Sequence, residues 1–232
     1  MITIFPLTGI GEINDGDRLA TAISVAADGA LQAGDVLVVT QKIVSKAEGR
    51  LVAINPEDPL SAKALVEQES VRIVRRRGDL IISETTHGFV CATAGIDLSN
   101  VPTGYAALLP VDSDRSARRV RDGLRADLGI DVGVIISDTF GRPWRKGLTD
   151  VAIGVAGIAA VVDLRGTIDA LGRELQVTEV AVADEIASAA ELVMGKATNV
   201  PVAVVRGIDA SWLREASVAA EIVRPPQEDL FR

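Results

Sequence analysis

The sequence contains 232 residues, of which 48% are hydrophobic and only 3% aromatic, and its formal net charge is −8. This composition predicts a globular protein with an aliphatic core, and the negative charge argues against nucleic acid as a partner, because nucleic-acid binding depends on a cationic surface. A single cysteine excludes an internal disulfide, and one cysteine with one histidine is too few for a zinc site.

Two further features of the sequence predict where in the cell the protein is found. No basic segment precedes an apolar one at the N-terminus, so we expect no secretory signal. The longest apolar run, residues 151–162, is too short to span a bilayer. We therefore expect a cytoplasmic protein that has no membrane partner.

The first part of the chain alternates strand and helix signals. Residues 2–5 predict a strand, Asp17 can cap a helix that runs to about residue 32, and residues 36–40 predict a second, buried strand. The glycine-rich segment 8–13 lacks the full dinucleotide-binding pattern, since Asn14 stands where the third glycine would be. No Rossmann fold is predicted from it.

We expect the second strand to continue into the following segment, which carries a lysine. Alternation along a strand would separate Lys42 from the apolar face that contains Ile43. A lysine at the end of a buried strand is well placed to reach a phosphate as a point charge. An exposed lysine on an edge strand is the alternative, and the sequence leaves both open.

The middle of the chain predicts further short elements. Ser61 can cap a helix through residue 69, and residues 80–83, 89–92 and 105–110 predict strands. The arginine run 75–77 is typical of a solvated surface.

The only histidine and cysteine lie close together in the sequence. His87 and Cys91 would share one face of a strand, which raises the possibility of a cysteine nucleophile. Nothing nearby forms a nucleophile elbow, so a structural cysteine and a polar histidine in a site wall are favoured.

Two acidic residues follow apolar runs in distant parts of the chain. Asp97 follows residues 94–96, with Asn100 close behind, and Asp138 follows the apolar run 132–136. Two strand ends that each present an aspartate suit a divalent ion that bridges to substrate phosphates, and oxygen ligands favour Mg²⁺ or Mn²⁺. That the two carboxylates meet is itself a prediction, because sequence separation does not give distance.

The segment 137–147 combines an acid, hydroxyls and cations. We expect the strand to end at Ser137-Asp138-Thr139 and residues 140–143 to form a turn, with cations directly after it at Arg142, Arg145 and Lys146. A metal ligand beside a cluster of cations is suited to phosphates, because both neutralise negative charge. A solvated polar turn is the alternative.

The remaining elements are mostly helical. Asp112-Ser113-Asp114 can cap a helix with an apolar inner face and five arginines predicted outward: Arg115, Arg118, Arg119, Arg121 and Arg125. Thr178 can cap a helix to Met194, residues 201–205 predict a last strand, and Trp212 is expected in a short helix. Residues 195–198 lack the pattern of a P-loop.

Three segments together resemble a known family: GDVLVVTQKIVSKAEGR at 34–50, AGID with SN at 94–100, and SDTFGRPWR at 137–145. They are similar to coenzyme F-420-0:L-glutamate ligase, the GTP-dependent γ-glutamyl ligase of deazaflavin cofactor biosynthesis. The resemblance runs from about residue 2 to the end of the chain.

The resemblance implies an α+β, mixed-sheet fold of two intertwined subdomains in a butterfly-shaped homodimer. It implies a catalytic domain over residues 1–224 and a tail or linker over 225–232. Some family members carry a flavin-binding, nitroreductase-like domain after such a tail, so we expect either a stand-alone enzyme or the N-terminal half of a longer one.

The resemblance also implies ligands. These are GTP as co-substrate, L-glutamate, the deazaflavin F-420-0, and two divalent ions, Mg²⁺ or Mn²⁺, with K⁺ as a further candidate. Carried over by position, the metal ligands would be Asp97, Asp138 and Thr139, and the nucleotide would contact Ile10, Gly11, Glu12, Ile13, Gln41, Lys46, Asn100, Met194, Gly195 and Lys196. Asp97 and Asp138 would act in catalysis, with Lys46, Arg142 and Arg145 as phosphate or carboxylate clamps.

Two other functions use the same residues. One is a metal-dependent phosphohydrolase or phosphotransferase that acts on a small anion. The other is a deazaflavin or nucleotide carrier without catalytic activity.

Overall fold

A computed structural model describes residues 1–230, except for the side chains of residues 59 and 60. In chain order the strands are β1 (Thr3–Leu7), β2 (Val36–Thr40), β3 (Leu51–Ala53), β4 (Ser70–Arg77), β5 (Leu80–Thr85), β6 (Val90–Ala92), β7 (Tyr105–Ala107), β8 (Gly133–Arg142), β9 (Arg145–Ala156), β10 (Val162–Asp163), β11 (Glu179–Val180) and β12 (Val202–Arg206). The helices are α1 (Leu19–Ala27), α2 (Gln41–Ala47), α3 (Pro59–Gln68), α4 (Ser113–Leu128), α5 (Val182–Met194) and α6 (Val218–Glu221).

A five-stranded sheet in the order β1-β12-β2-β8-β9 forms the centre. β2 and β8 run parallel, whereas the other neighbours in this sheet are antiparallel. The mixed sheet and the α+β class agree with the expected fold. Smaller sheets pair β3 with β7 and β10 with β11, and a three-stranded sheet has the order β4-β5-β6.

Both faces of the central sheet are covered, and β2 shows why its sequence is continuously apolar. Leu37 and Val39 pack into one hydrophobic cluster with α1, α2 and α4, while Val36 and Val38 pack into a second cluster with α5. All four side chains are fully buried. A strand buried on both faces needs apolar residues at every position, which is the pattern of residues 36–39.

The start of α4 is tied to the sheet through Asp114. Its carboxylate accepts hydrogen bonds from the N–H groups of Val155 at 2.8 Å and Val218 at 3.0 Å and from the Ser217 hydroxyl at 2.8 Å. A Cβ at Gly154 would lie 2.3 Å from the carbonyl carbon of Ser113, so only glycine allows the helix this close to β9.

The predicted continuation of β2 is wrong, because residues 41–47 form the helix α2. The strand ends where Thr40 pairs with Ser137 of β8, and the helical turn then buries Ile43 and Val44 in the core. Lys42 therefore does not lie at the end of a strand. It lies on one helix face with Lys46, one turn away.

The predicted turn at residues 140–143 is also misplaced. β8 continues to Arg142, which pairs with Arg145 of β9, so the turn is Pro143-Trp144. The hairpin extends beyond the core, since residues 141–148 are exposed.

Three predicted caps are wrong, and one is confirmed. α1 begins at Leu19 after Arg18, α5 begins at Val182, and α3 begins at Pro59, so Asp17, Thr178 and Ser61 cap none of them. Residues 179–180, just after Thr178, pair with β10 instead of entering the helix. Asp112 does cap α4, through a hydrogen bond from the Arg115 N–H.

One arginine of α4 departs from the predicted outward face. Arg121 is 8% exposed and bonds Glu215 and Asp122, so charge pairing permits its burial. No helix within residues 1–230 has the length and hydrophobicity needed to cross a bilayer.

Candidate functional site

A cavity of about 440 Å³ opens beside the end of β2, where the chain enters α2. This is the carboxyl end of a parallel strand pair, a common position for ligand sites in sheets flanked by helices. Four parts of the chain line it: the loop after β1, the β2–α2 junction, Asn100, and the end of α5 with the loop that follows. The lining residues are Ile10, Gly11, Glu12, Ile13, Thr40, Lys42, Ile43, Lys46, Asn100, Glu191, Gly195, Lys196, Asn199, Val200 and Pro201.

The cavity gathers most of the residues that the resemblance assigned to the nucleotide. Those in its lining are Ile10, Gly11, Glu12, Ile13, Lys46, Asn100, Gly195 and Lys196. Gln41 and Met194 are buried and are not part of the lining. The structure thus brings the predicted set together from distant segments, while its role in nucleotide binding stays a prediction.

Gln41 has an unusual environment for a buried side chain. It is 1% exposed, yet both polar atoms of its carboxamide lack a hydrogen-bond partner in the described structure. Leaving buried polar atoms unpaired costs free energy, so such groups often mark a ligand, ion or water position.

Asp97 lies next to α2 and is paired with a lysine. Its backbone bridges to Ala107, its carboxylate accepts the Ser99 N–H at 2.7 Å, and the Lys42 ammonium lies 2.5 Å from its second oxygen. Burial opposes ionisation of Asp97, but the Lys42 and Ser99 hydrogen bonds together outweigh it and lower its pKa.

The pKa of Asp138 is shifted in the opposite direction from that of Asp97. Burial raises the pKa of Asp138 from 3.8 to about 7. The Thr139 N–H is the strongest opposing effect, and the charge of Asp97 adds to the rise. Lys42 and Asp150 act more weakly, in opposite directions. The two predicted acids are therefore close enough for their charges to interact. In the described chain, no lysine or arginine forms an ion pair with Asp138.

A third acid, Asp150 of β9, was missed by the sequence analysis. It lies opposite Thr139, its side chain is 3% exposed, and it accepts hydrogen bonds from the hydroxyls of Thr139 at 2.5 Å and Ser137 at 3.2 Å. The Lys196 ammonium lies 3.3 Å from it. In the sequence Asp150 only bounds an apolar run, and the hairpin register was needed to place it beside Thr139.

β8 presents its polar side chains to both sides of the sheet. Phe140 packs with the cluster that contains α2, and Asp138, which has the same parity, interacts with Asp97 and Lys42. Thr139 faces the other way, toward Asp150 and Lys196. One strand thereby supplies a carboxylate to one side and a hydroxyl to the other.

Arg142 and Arg145 do not line the cavity. Both are exposed near the hairpin tip, where the Arg142 guanidinium donates to the Lys146 carbonyl at 2.9 Å. Trp144, in the turn between them, is 85% exposed. The clamp role predicted for the two arginines is not tested by this arrangement.

Cys91 is poorly suited to nucleophilic catalysis. Burial and the nearby Asp138 raise its pKa to about 12, so the thiol stays protonated at neutral pH. His87 stacks on Phe89 and places Nε2 2.8 Å from the Pro110 carbonyl oxygen. These contacts support a structural cysteine and a histidine held within the fold.

The acidic pair suits a divalent ion that is only partly held by protein. Among the described residues, no three histidine, cysteine or acidic side chains are arranged to hold a metal ion. Mg²⁺ in nucleotide sites is commonly held by one or two carboxylates, with phosphate oxygens and water as the other ligands. Asp97 and Asp138 fit that donor set, and Asp138, which is half-buried and has no cationic partner in the described chain, offers a carboxylate that a cation would compensate.

The family model and the curated relatives that the chain matches all name the same family. The sequence model described as F420-0:Gamma-glutamyl ligase matches residues 9–207. The chain is 44% identical to a coenzyme F420:L-glutamate ligase of Methanopyrus kandleri, over 95% of this chain and 94% of that protein. It is 42% identical to the protein of the same name from Methanothermobacter thermautotrophicus, over 100% and 99% of the two chains. A third such protein, from Methanocaldococcus jannaschii, is 40% identical over 87% and 86%.

The chain belongs to the F420-0:gamma-glutamyl ligase family. The resemblance inferred from the three sequence segments is confirmed. So is the assignment to the amino-acid ligases.

Proposed function

We propose that this member of the F420-0:gamma-glutamyl ligase family joins L-glutamate to F420-0 with GTP and a divalent metal ion, through an acyl phosphate, to give mono- or poly-γ-glutamylated F420. The names of its relatives support the substrates. The observation that carries the nucleotide and metal part is the cavity itself, which is lined by three lysines, one of which, Lys42, is paired with Asp97.

The cavity suits a nucleoside triphosphate in size and charge. Its volume of about 440 Å³ is within the usual range for small-molecule sites. Lys42 and Lys46 lie one helical turn apart on α2, and Lys196 enters from the opposite side. In this proposal the three ammonium groups bind phosphate oxygens, and the unpaired carboxamide of Gln41 lies close behind the lining.

Each of these lysines is already paired with an acid. Lys42 contacts Asp97, Lys46 contacts Glu12 at 2.5 Å, and Lys196 contacts Asp150. The pairs hold the ammonium groups in place before a nucleotide arrives, which reduces the entropy lost on binding. Glu12 is 72% exposed, so its pair with Lys46 is easily exchanged for a phosphate.

Asp97 and Asp138 would hold a divalent ion on the side of the sheet that α2 covers. Such an ion supplies positive charge against the phosphate oxygens during transfer, which stabilises a transition state rich in negative charge. Asp138 must be ionised to serve as a ligand, and a neighbouring cation favours that form.

The reaction proceeds in two displacements. A carboxylate oxygen of F420-0 attacks the γ-phosphorus of GTP, the bond to the β-phosphate oxygen breaks, and GDP leaves. The unprotonated amine of glutamate then attacks the acyl carbon, inorganic phosphate leaves, and the nitrogen loses a proton to solvent. The enzyme's part is to position the groups and to compensate charge, and we assign the exposed Arg142 and Arg145 to the anionic acceptor.

We also propose the larger-scale arrangement that the family suggests. Residues 1–224 form the catalytic domain and residues 225–232 a tail, and two chains associate as a homodimer of intertwined subdomains in the cytoplasm. The exposed hairpin around Trp144 is one surface available for such an association.

One experiment tests the activity directly. The protein is mixed with GTP, Mn²⁺, glutamate and F420-0, and product masses are recorded by mass spectrometry while each component is omitted in turn. We expect mass increments of glutamyl units only in the complete mixture. Phosphate release that does not require glutamate or F420-0 would instead favour a phosphohydrolase, and tight binding without turnover would favour a carrier.

A pair of lysine variants tests the cavity. Lys46→Ala should raise the KM for GTP at least tenfold, because a phosphate loses a charged hydrogen bond. Lys63→Ala is the matched control, since Lys63 pairs with the exposed Asp79 and is not part of the lining. Equal KM values for both variants would contradict nucleotide binding in this cavity.

A further inference from the structure

The ammonium group of Lys196 occupies a position surrounded by oxygen atoms. It contacts the Thr139 hydroxyl, and it lies 3.3 Å from Asp150 and 3.6 Å from Glu191. These partners belong to β8, β9 and α5, so three separate elements converge on one cation. Oxygen atoms that converge in this way form the environment in which proteins hold a metal ion.

Asp150 shows why a positive charge is needed there. Its side chain is 3% exposed, and an ionised carboxylate that is buried requires compensation. The hydroxyls of Ser137 and Thr139 donate hydrogen bonds to it, but neither brings a charge. Lys196 is the cation that the described structure places on Asp150.

The hydrogen bond of Thr139 determines what its oxygen can still do. Because the hydroxyl proton is donated to Asp150, only the oxygen lone pairs remain available. The Lys196 ammonium already donates to this oxygen. A divalent ion bound to Thr139 would need the same lone pairs, so it and the ammonium exclude each other, and their repulsion adds to that exclusion.

On the other side of β8, the described chain places no lysine on Asp138 in the way that Lys196 is placed on Asp150. Lys42 is paired with Asp97, whereas no lysine or arginine forms an ion pair with Asp138 among the described residues. The two sides of the strand therefore differ in whether they still need a cation.

We infer that Lys196 supplies the second cation of the site, so that the chain binds one divalent ion with its nucleotide, at Asp97 and Asp138, and none at Thr139. This inference rests on the proposed function, and it departs from the expectation of two divalent ions. Lys196 compensates Asp150 and keeps Thr139 oriented, and its half-exposed side chain borders the cavity, where its ammonium also meets the phosphates of the proposed nucleotide.

The test counts ions rather than turnover. Mn²⁺ is titrated into the full chain in the presence of a saturating, non-hydrolysable GTP analogue, and bound ions per chain are measured by the loss of the free-Mn²⁺ electron paramagnetic resonance signal. We expect one ion for the unaltered chain and for Lys196→Arg, which keeps the charge. Lys196→Ala should bind two, because Thr139, Asp150 and Glu191 then face an uncompensated site, and Lys63→Ala should bind one.

Each outcome decides between the inference and the proposed function on which it rests. Two ions in the unaltered chain, or one ion in a folded Lys196→Ala variant, would overturn the inference and leave the proposed ligase unaffected. No bound Mn²⁺ in any variant would contradict the metal dependence of the proposed function instead. Thermal unfolding of each variant verifies that the chain tested is folded.

Discussion

Replacing Asp138 with Asn should stabilise the ligand-free protein at neutral and alkaline pH. The folded pKa of Asp138 is about 7, against an ordinary value of 3.8, so the folded chain keeps a proton that the unfolded chain has already lost. Stability therefore falls as the pH rises from about 4 to about 7, and the full loss is present above pH 7. Asn removes the charge while keeping the shape of the side chain.

The size of the effect follows from the same shift. A rise from 3.8 to about 7 corresponds to roughly 4 kcal/mol as an upper limit. Asp138 keeps some contact with solvent, which screens part of the charge, so we expect a gain of about 2 kcal/mol at pH 8. Such a gain would show that an aspartate at this position, the proposed metal ligand, is maintained at the expense of stability.

Urea unfolding with a metal chelator at pH 5 and pH 8 measures the effect. The stability difference between Asp138→Asn and the unaltered chain should widen toward pH 8. Asp28→Asn is the control, because Asp28 is exposed and lies in the left-handed region, which asparagine tolerates. A difference that does not depend on pH, or a variant less stable at pH 8, would refute the reasoning.

Three further predictions concern the framework around the site. Asp114→Ala should lower the free energy of unfolding by about 3 kcal/mol or more in urea titrations, because several buried donors lose a charged acceptor; a loss below about 1 kcal/mol would contradict this. Gly154→Ala should cost about 3 kcal/mol, since its Cβ meets the backbone of α4, whereas Gly141→Ala, where nothing lies within 4 Å, should change little. Cys91 should react with iodoacetamide at pH 8 at least about a hundredfold more slowly in the folded chain than in urea, because its pKa is about 12, and equal rates would count against its burial.

The strands of the central sheet were the most predictable part of the fold. The predicted strand at residues 36–40 begins where β2 begins, because a short apolar run that follows the turn residues Gly34-Asp35 favours a buried strand, but its expected continuation past Thr40 is wrong. The following helix was mistaken for a strand. Seven residues give barely two turns, which is too short for the helical period to stand out from alternation.

The site was predictable in its residue types more than in its geometry. Predicted strand ends singled out Asp97 and Asp138, although Asp138 lies within β8 and Asp97 forms only an isolated bridge to Ala107. Family resemblance supplied most of the cavity lining. Asp150 could not be found, because its importance depends on which residue it faces across the hairpin. The ion pair between Lys196 and Asp150 joins positions 46 apart in sequence, a relation that no local pattern encodes.

The alternation along β8 limits how this strand can change during evolution. β8 keeps one phase of alternation from Val134 to Phe140, because its register shift against β9 leaves out Ile153 of β9 and no residue of β8. Inserting or deleting a single residue in this part of β8 would move each following side chain to the opposite face of the sheet. Thr139 would then point toward Asp97, and Asp138 toward Lys196. Length variation in related chains should therefore be confined to the Pro143-Trp144 end, where adding residues leaves that phase intact.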